Sequence, residues 1–272
     1  QPSCDSWVLN HVRGNNISEI QGHLQSNGQV LLLNPNGILI GPNAVVEVGG
    51  LVASTSPHYL EEKVHKPQGD VINQGIIRSS YGDIVLIGKE VVNEGHIDVL
   101  MQINQDLLIK SNEYSNKSKI QENPYELAIN LPEDNYQLTL NQEPKIILKS
   151  DERTWVKGSL QGKHISLLSE GITIFEGFAN ALDGFIEISG KEGFVHNGSI
   201  ERQGGTLFLD PEADITISQK VDYNYDHTFS PTSDIVNISI DKLIEEVEKG
   251  PVTITTSYQG EGGGQGAIKV KN

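Results

Sequence analysis

The chain has 272 residues, enough for one large domain or one continuous repeat fold. Its 36 acidic and 20 basic residues give a formal net charge of −16, and Lys and Arg form no run, so we expect no nucleic-acid partner. No segment approaches the roughly 20 apolar residues of a membrane helix, so we expect no membrane insertion. The single cysteine, Cys4, excludes an intrachain disulfide. The spacing of a zinc site does not occur, and we expect neither a metal nor another cofactor.

A unit of about twenty residues recurs along the chain. Two copies, Val71–Ile77 and Val91–Ile97, join two apolar stretches through a polar turn that contains Asn and Gly, and Val195–Ile200 is a looser third copy. Asn and Gly both tolerate left-handed backbone angles, so both suit sharp corners. The predicted corners, to which we assign a structural role, are Asn73 and Gly75, Asn93 and Gly95, and Asn197 and Gly198.

Short β-rich runs separate these corners, among them Asp83–Ile87, Ile172–Phe175, Phe185–Ile188 and Thr206–Leu209. One coil of such strands cannot bury its inner face, but stacked coils can, with a spacing of roughly 4.8 Å between hydrogen-bonded strands. The pattern therefore predicts an all-β fold, a β-solenoid whose aliphatic residues stack inward.

Three segments depart from the repeat. Two polar stretches, at about 110–135 and 219–234, predict loop excursions from the solenoid. Residues 240–249 predict the one helix, with Ser239 as its N-cap and Gly250 at its end. The apolar residues at helical spacing on one face are Leu243, Ile244 and Val247.

The segment Asn34-Pro35-Asn36-Gly37 predicts a turn. Pro35 fixes φ at the first central position, and Asn36 and Gly37 suit the positions that follow. Such a turn can only link two strands, or it can also be recognised by a partner, since loops commonly carry function. We favour the second interpretation, in which these four residues form a secretion-recognition site.

This turn lies within a longer pattern. Residues 28–44 and the following Val48-Gly49-Gly50-Leu51-Val52-Ala53-Ser54-Thr55 resemble the two-partner secretion, or haemagglutination-activity, domain of filamentous haemagglutinin-like exoproteins. The copies at 71–77 and 91–97 look like the coils that follow in that family. A weaker resemblance continues through residues 204–211 and 250–256.

The resemblance implies a right-handed parallel β-helix that is exported through an outer-membrane barrel partner. It also implies an adhesin or haemagglutinin role at the bacterial surface, with a host glycan or protein as the candidate receptor. On this basis residues 1–100 are expected to be a secretion domain that lacks its first strands and signal peptide, and residues 101–272 to continue the shaft. The motif at Asn34–Gly37 is the part that the family implicates in secretion.

A β-helical enzyme acting on polysaccharide is the alternative, and it would need two or three convergent carboxylates. The candidates are Asp83 with Asp98, Glu187 with Glu201, and Asp210 with Glu212 and Asp214. No spacing among them is diagnostic, and surface acids explain them equally well. His96 and His196 lie inside repeat corners and are expected to be exposed. We therefore predict a binding protein without catalytic residues.

Overall fold

The computed structural model describes residues 6–56, 66–100, 143–219, 235–256 and 266–271, together with the backbone of 128–130 and 135–137. Cys4 and nearly all of both predicted excursions lie outside the described residues. The short strands β12 (Ala128–Asn130) and β13 (Asn135–Gln137) pair antiparallel. Within the described ranges, no helix is long and apolar enough to cross a bilayer.

The remaining strands run parallel to their neighbours in stacked coils, and most belong to three faces. Face 1 contains β1 (Trp7–His11), β4 (Gln29–Leu33), β7 (Gly50–Ser54), the start of β10 (Ile84–Asn93), the start of β14 (Lys145–Val156), β16 (His164–Ser169), β19 (Phe185–Gly190), β22 (Thr206–Leu209) and β25 (Val252–Ile254).

Face 2 contains β2 (Ser18–Ile20), β5 (Ile38–Ile40), β8 (Val71–Asn73), the ends of β10 and β14, β17 (Ile172–Phe175) and β20 (Gly193–His196). Face 3 contains β3 (His23–Gln25), β6 (Val45–Val48), β9 (Ile76–Ser79), β11 (His96–Val99), β15 (Ser159–Gln161), β18 (Phe178–Asn180) and β21 (Ser199–Glu201). A separate parallel sheet joins β24 (Ile235–Ser239), β23 (Asp214–Ser218) and β26 (Ile268–Val270).

Aliphatic side chains fill the interior, because alternate residues of every strand point inward. Strand pairing places residues of the same kind above one another, so that Leu51, Ile84, Ile146 and Ile165 form one continuous stack. Each of these side chains is fully buried. The predicted parallel β-helix with a stacked aliphatic core is confirmed.

The coils on either side of residues 101–142 stack directly on each other. Strand β10 precedes this segment and β14 follows it, yet the two strands are hydrogen-bonded neighbours, with Ile84 opposite Ile146. The described coils before residue 100 and those after residue 143 therefore form one shaft. The division of the chain into 1–100 and 101–272 stays a prediction.

Helix α1 (Ile240–Lys249) has the predicted bounds, and Gly250 ends it at a φ of +153°, which favours glycine. Ser239 makes no side-chain hydrogen bond to the helix, so the predicted cap is wrong in that detail. Ile244 and Val247 are more than half exposed, whereas Glu246 is buried. The helix therefore packs on the solenoid through a carboxylate and Leu243, and the rest of its apolar face points to solvent.

Candidate functional site

The predicted turn connects β4 to β5 at the corner between faces 1 and 2. The Gly37 N–H donates to the Asn34 carbonyl oxygen at 3.2 Å, which closes a four-residue β-turn. Asp183 is the single non-glycine residue with positive φ in the described ranges, so Asn36 has a negative φ. A negative φ at this position excludes a type II turn and fits type I, which also accommodates Pro35.

Asn34 is an internal residue, only 1% exposed. Its side-chain amide donates at 2.9 Å both to the Asn16 carbonyl oxygen and to Ser18 Oγ in the preceding coil. Its Oδ1 accepts hydrogen bonds from the backbone N–H and the side-chain amide of Asn36. All the hydrogen-bonding capacity of this buried amide is thus used: its donors hold the turn against the coil before it, and its oxygen holds Asn36 within the turn.

The following coil fixes the turn from the other side. A Cβ on Gly69 would lie 2.6 Å from the Gly37 backbone nitrogen, so only glycine allows this close approach. The Ile38 N–H donates to the Asp70 carbonyl oxygen at 2.9 Å. The turn is therefore clamped between two coils, and its conformation is set before any partner arrives.

Exposure divides the four predicted recognition residues into two pairs. Asn34 and Gly37 are buried, Pro35 is half-buried, and Asn36 is exposed. The Asn36 side chain also donates to the Gly14 carbonyl oxygen at 2.7 Å, which holds it in one orientation on the surface. A partner can reach Pro35 and Asn36, while Asn34 and Gly37 support them from beneath.

The first two predicted corners stack directly. Asn73 and Asn93 are fully buried, and the Asn73 amide donates to Asn93 Oδ1 at 2.8 Å. Asn73 Oδ1 accepts the Gly75 N–H of its own corner at 3.2 Å. These asparagines form an internal polar ladder, and neither offers an atom to a ligand.

The corner glycines also stack, but not in left-handed conformations. Gly75, Gly95 and Gly198 do not have positive φ, so the expectation of left-handed corners is wrong. A Cβ on Gly95 would collide with the carbonyl oxygen of Gly75, and one on Gly198 would collide with that of Gly177. Glycine is required because the backbones of successive coils approach each other too closely for a side chain. The full ladder comprises Gly75, Gly95, Gly158, Gly177 and Gly198.

In the third copy, strand pairing assigns the positions differently from the sequence pattern. Phe175 pairs with His196, in the row that also contains Asn73, Asn93 and Val156. Asn197 is exposed and occupies the outer position held by Gln74 and Glu94 in the first two copies. The predicted corner Asn197–Gly198 is therefore a corner of the solenoid, but its asparagine is not part of the internal ladder.

His196 is not exposed as expected, because α1 covers it. Its side chain is 6% exposed, and its Nε2 lies 3.3 Å from Oε1 of Glu246, which is 2% exposed. The Arg202 side chain is fully buried in the same cluster and donates to the backbone carbonyl oxygens of Glu246, Gly205 and Pro251. Sequence patterns gave no indication of this cluster, since its members are separated by up to 50 residues.

The surroundings within this cluster change the pKa values of His196 and Glu246. Burial lowers the pKa of His196, which opposes the raising effect of the adjacent carboxylate. Burial by itself would raise the pKa of Glu246, but the contacts with His196 and Lys249 outweigh it and lower that pKa to about 2. At neutral pH the cluster therefore holds a buried carboxylate and a neutral imidazole.

Three of the carboxylates considered for catalysis, Asp83, Asp210 and Asp214, have structural partners. Asp83 accepts the Lys145 N–H at 2.8 Å, and burial raises the pKa of Asp83. Asp210 accepts the Thr255 hydroxyl at 2.5 Å, and Asp214 accepts the Ala267 N–H at 3.0 Å. Where the structure describes the chain, it brings together no group of three or more His, Cys, Asp or Glu residues that could hold a metal ion.

Comparison with known proteins places this solenoid in a family. The model of the TPS secretion domain matches residues 1–269. A heme/hemopexin-binding protein of Haemophilus influenzae is 32% identical over 177 residues, which is 59% of this chain and 19% of that protein. A second heme/hemopexin-binding protein of the same species is 47% identical over 55 residues, or 20% of this chain and 6% of that protein.

The chain thus matches about a fifth or less of the length of these curated relatives. Among solved structures, the HMW1 secretion domain from Haemophilus influenzae aligns over 100% of this chain and 72% of its own, with a TM-score of 0.49 and 19% identity. The match of the family model over nearly the whole sequence is decisive: the chain belongs to the TPS secretion domain family.

Proposed function

We propose that this chain is the domain by which a longer exoprotein is recognised and exported through an outer-membrane barrel transporter of the two-partner secretion type. Membership of the TPS secretion domain family supports this proposal. The observation that carries it is the turn at Asn34–Gly37, which is clamped by two coils and presents one fixed, exposed amide.

The geometry suggests separate roles for the residues of the turn. Asn34 and Gly37 position it, and the exposed side chain of Asn36 and the half-buried ring of Pro35 contact the transporter. Binding to a preformed turn avoids the entropic cost of ordering a loop at the moment of recognition. The Asn36 amide and the Pro35 ring form a small contact surface, which the transporter recognises by its shape and by hydrogen bonding.

The proposal can be tested by co-expressing the chain with its barrel transporter and measuring the protein in the medium. We expect Asn36→Ala to reduce export about tenfold, the effect of losing about 1.4 kcal/mol of recognition free energy. Asn197→Ala is the matched control, because Asn197 is also an exposed corner asparagine. The melting temperatures of both variants show whether folding is preserved. Wild-type export by a folded Pro35→Ala/Asn36→Ala double variant would refute the assignment.

For the longer protein we propose a role in binding and display at the cell surface, as an adhesin or haemagglutinin. The support is the resemblance of this domain to those of filamentous haemagglutinin-like exoproteins. In this role the exported shaft holds a host glycan or protein away from the cell and performs no chemistry. The secreted full-length protein should then agglutinate erythrocytes or attach to epithelial cells.

Capture of heme or hemopexin is a second candidate, favoured by one observation. The curated relative that is 32% identical over 177 residues is named a heme/hemopexin-binding protein. Binding of the secreted full-length protein to immobilised hemin and to immobilised hemopexin separates this candidate from an adhesin. Retention on either resin without attachment to cells favours capture, and attachment without retention favours adhesion.

The proposed function requires no bond to be made or broken. A panel of polysaccharides incubated with the chain, with and without calcium, should therefore yield no new reducing ends or unsaturated products. Release of either product from any polysaccharide would support the β-helical enzyme instead.

A further inference from the structure

Helix α1 lies at the point where face 3 ends. In earlier coils a face-3 strand precedes each face-1 strand, as β18 precedes β19 and β21 precedes β22. Face 1 continues to β25, but β21 is the last strand of face 3 in the described ranges. The element that precedes β25 is α1, so a helix stands in the chain where the next face-3 strand would be.

A side chain of α1 replaces a missing backbone donor at this edge. Along the glycine ladder, each carbonyl oxygen accepts an N–H from the next coil, as Gly177 O accepts the Ser199 N–H at 2.9 Å. The carbonyl oxygen of Gly198 accepts a hydrogen bond from Lys242 Nζ of α1 at 3.1 Å. An ammonium group thus satisfies the edge that another coil would otherwise pair with.

The contacts beneath α1 are made by charged groups. Glu246 faces His196 of β20 and Arg202, which follows β21. From α1 itself, Lys249 Nζ lies 3.1 Å and Lys242 Nζ 3.5 Å from Glu246 Oε1. Exposed Glu245 pairs with both lysines at the surface of the cluster.

The charge balance of this cluster leaves no room for another cation. One buried carboxylate already offsets Arg202 and two lysines, with Glu245 as the second anion. Protonation of His196 would add a further positive charge to a side chain that is 6% exposed and packs against the Phe175 ring at 5.5 Å. Burial lowers the pKa of His196, in agreement with this electrostatic argument.

We propose that helix α1 is a pH-sensitive cap on the open edge of face 3, closed while His196 is neutral and released when His196 is protonated. Release detaches Lys242 from Gly198 and Glu246 from the buried cluster. The strands of faces 1 and 2 keep their pairing, because none of their hydrogen bonds passes through α1. The change is local unfolding of one helix on an intact solenoid.

Hydrogen exchange of the full chain tests the proposal, with amide rates corrected for the intrinsic effect of pH. The open fraction of α1 should rise by up to about tenfold for each pH unit below about 6.5, the slope expected when opening binds one proton. Exchange in the core strands β14 and β16 should stay constant over the same range. Equal protection of α1 at pH 7.5 and pH 5.0 would overturn the proposal.

Two variants identify the titrating group. His196→Gln keeps a polar side chain but cannot gain a proton, so α1 should show no pH dependence between pH 7.5 and pH 5.0. His96→Gln is the control, because His96 contacts Ser159 rather than α1 and should leave the wild-type dependence intact. Persistence of the wild-type pH dependence in His196→Gln would exclude His196 as the switch.

Glu246→Gln provides an independent measurement. Loss of the buried anion leaves Arg202, Lys242 and Lys249 without compensation, so α1 should exchange at least tenfold faster even at pH 7.5. If α1 in this variant is as protected as in the wild type, the charge cluster does not hold the cap and the proposal fails. Export is not needed for any of these measurements, so they are independent of the proposed function.

Discussion

The side-chain amide of Asn73 donates to the side-chain oxygen of Asn93 at 2.8 Å, and both residues are fully buried. The two residues are directly paired in neighbouring coils on face 2. This internal hydrogen bond shows that a buried corner polar group in one coil depends on the residue above it. The coils are consequently coupled by directional bonds as well as by aliphatic packing.

Substitution of Asn93 by Ala should therefore destabilise the chain, because it removes the hydrogen-bond acceptor of Asn73. The variant leaves the buried Asn73 amide without its acceptor, and an unsatisfied buried donor costs about 1–3 kcal/mol. The measurement is the free energy of unfolding in urea. Gln74→Ala is the control, because the exposed Gln74 side chain bonds to exposed Glu94, and its effect should stay within about 0.5 kcal/mol.

Adding one methyl group to the glycine ladder should lower the free energy of unfolding more than Asn93→Ala does. In Gly95→Ala the new methyl group would overlap the carbonyl oxygen of Gly75, and neither backbone can move without breaking its own inter-coil hydrogen bonds. We expect a loss of about 3 kcal/mol or more in urea unfolding, at the upper end of overpacking effects. Gly22→Ala is the control, since a Cβ there meets no atom within 4 Å. A loss in Gly95→Ala no larger than in the control would show that the ladder tolerates side chains.

The repeat pattern was sufficient to predict the solenoid, because strand alternation and turn chemistry are local properties. Runs such as Ile172–Phe175 and Thr206–Leu209 are strands with the predicted bounds. Corner geometry was not predictable, because it depends on how closely two coils approach. The same residue type, glycine, satisfies either a left-handed φ or a close approach, and the sequence does not distinguish the two.

The strand register at His196 and the burial of side chains beneath α1 could not be predicted from the sequence either. The Asn-Gly pair at 197–198 resembled the earlier corners, but the pairing of Phe175 with His196 places the histidine in the internal row. The bounds of α1 were predictable from its apolar spacing and from Gly250 at its end, whereas its orientation was not. Arg202 and His196 draw Glu246 inward, and this leaves Ile244 exposed.

The buried amide of Asn34 predicts a pH-dependent defect in an isosteric variant. In Asn34→Asp the side chain loses both donors and directs a carboxylate at the Asn16 carbonyl oxygen, so the ionised form is strongly disfavoured in the folded state. The folded-state pKa of the new carboxyl should lie above its unfolded value. Stability should then fall as pH rises above about 4, the unfolded pKa, until the pH passes the raised folded pKa.

Thermal unfolding of Asn34→Asp between pH 3.5 and pH 7 measures this effect. Asn36→Asp is the matched control, because Asn36 is exposed and water can solvate the charge. We expect the melting temperature of Asn34→Asp to drop across this range relative to wild type, and that of the control to follow wild type. Parallel curves for Asn34→Asp and wild type would mean that residue 34 is not sealed from water.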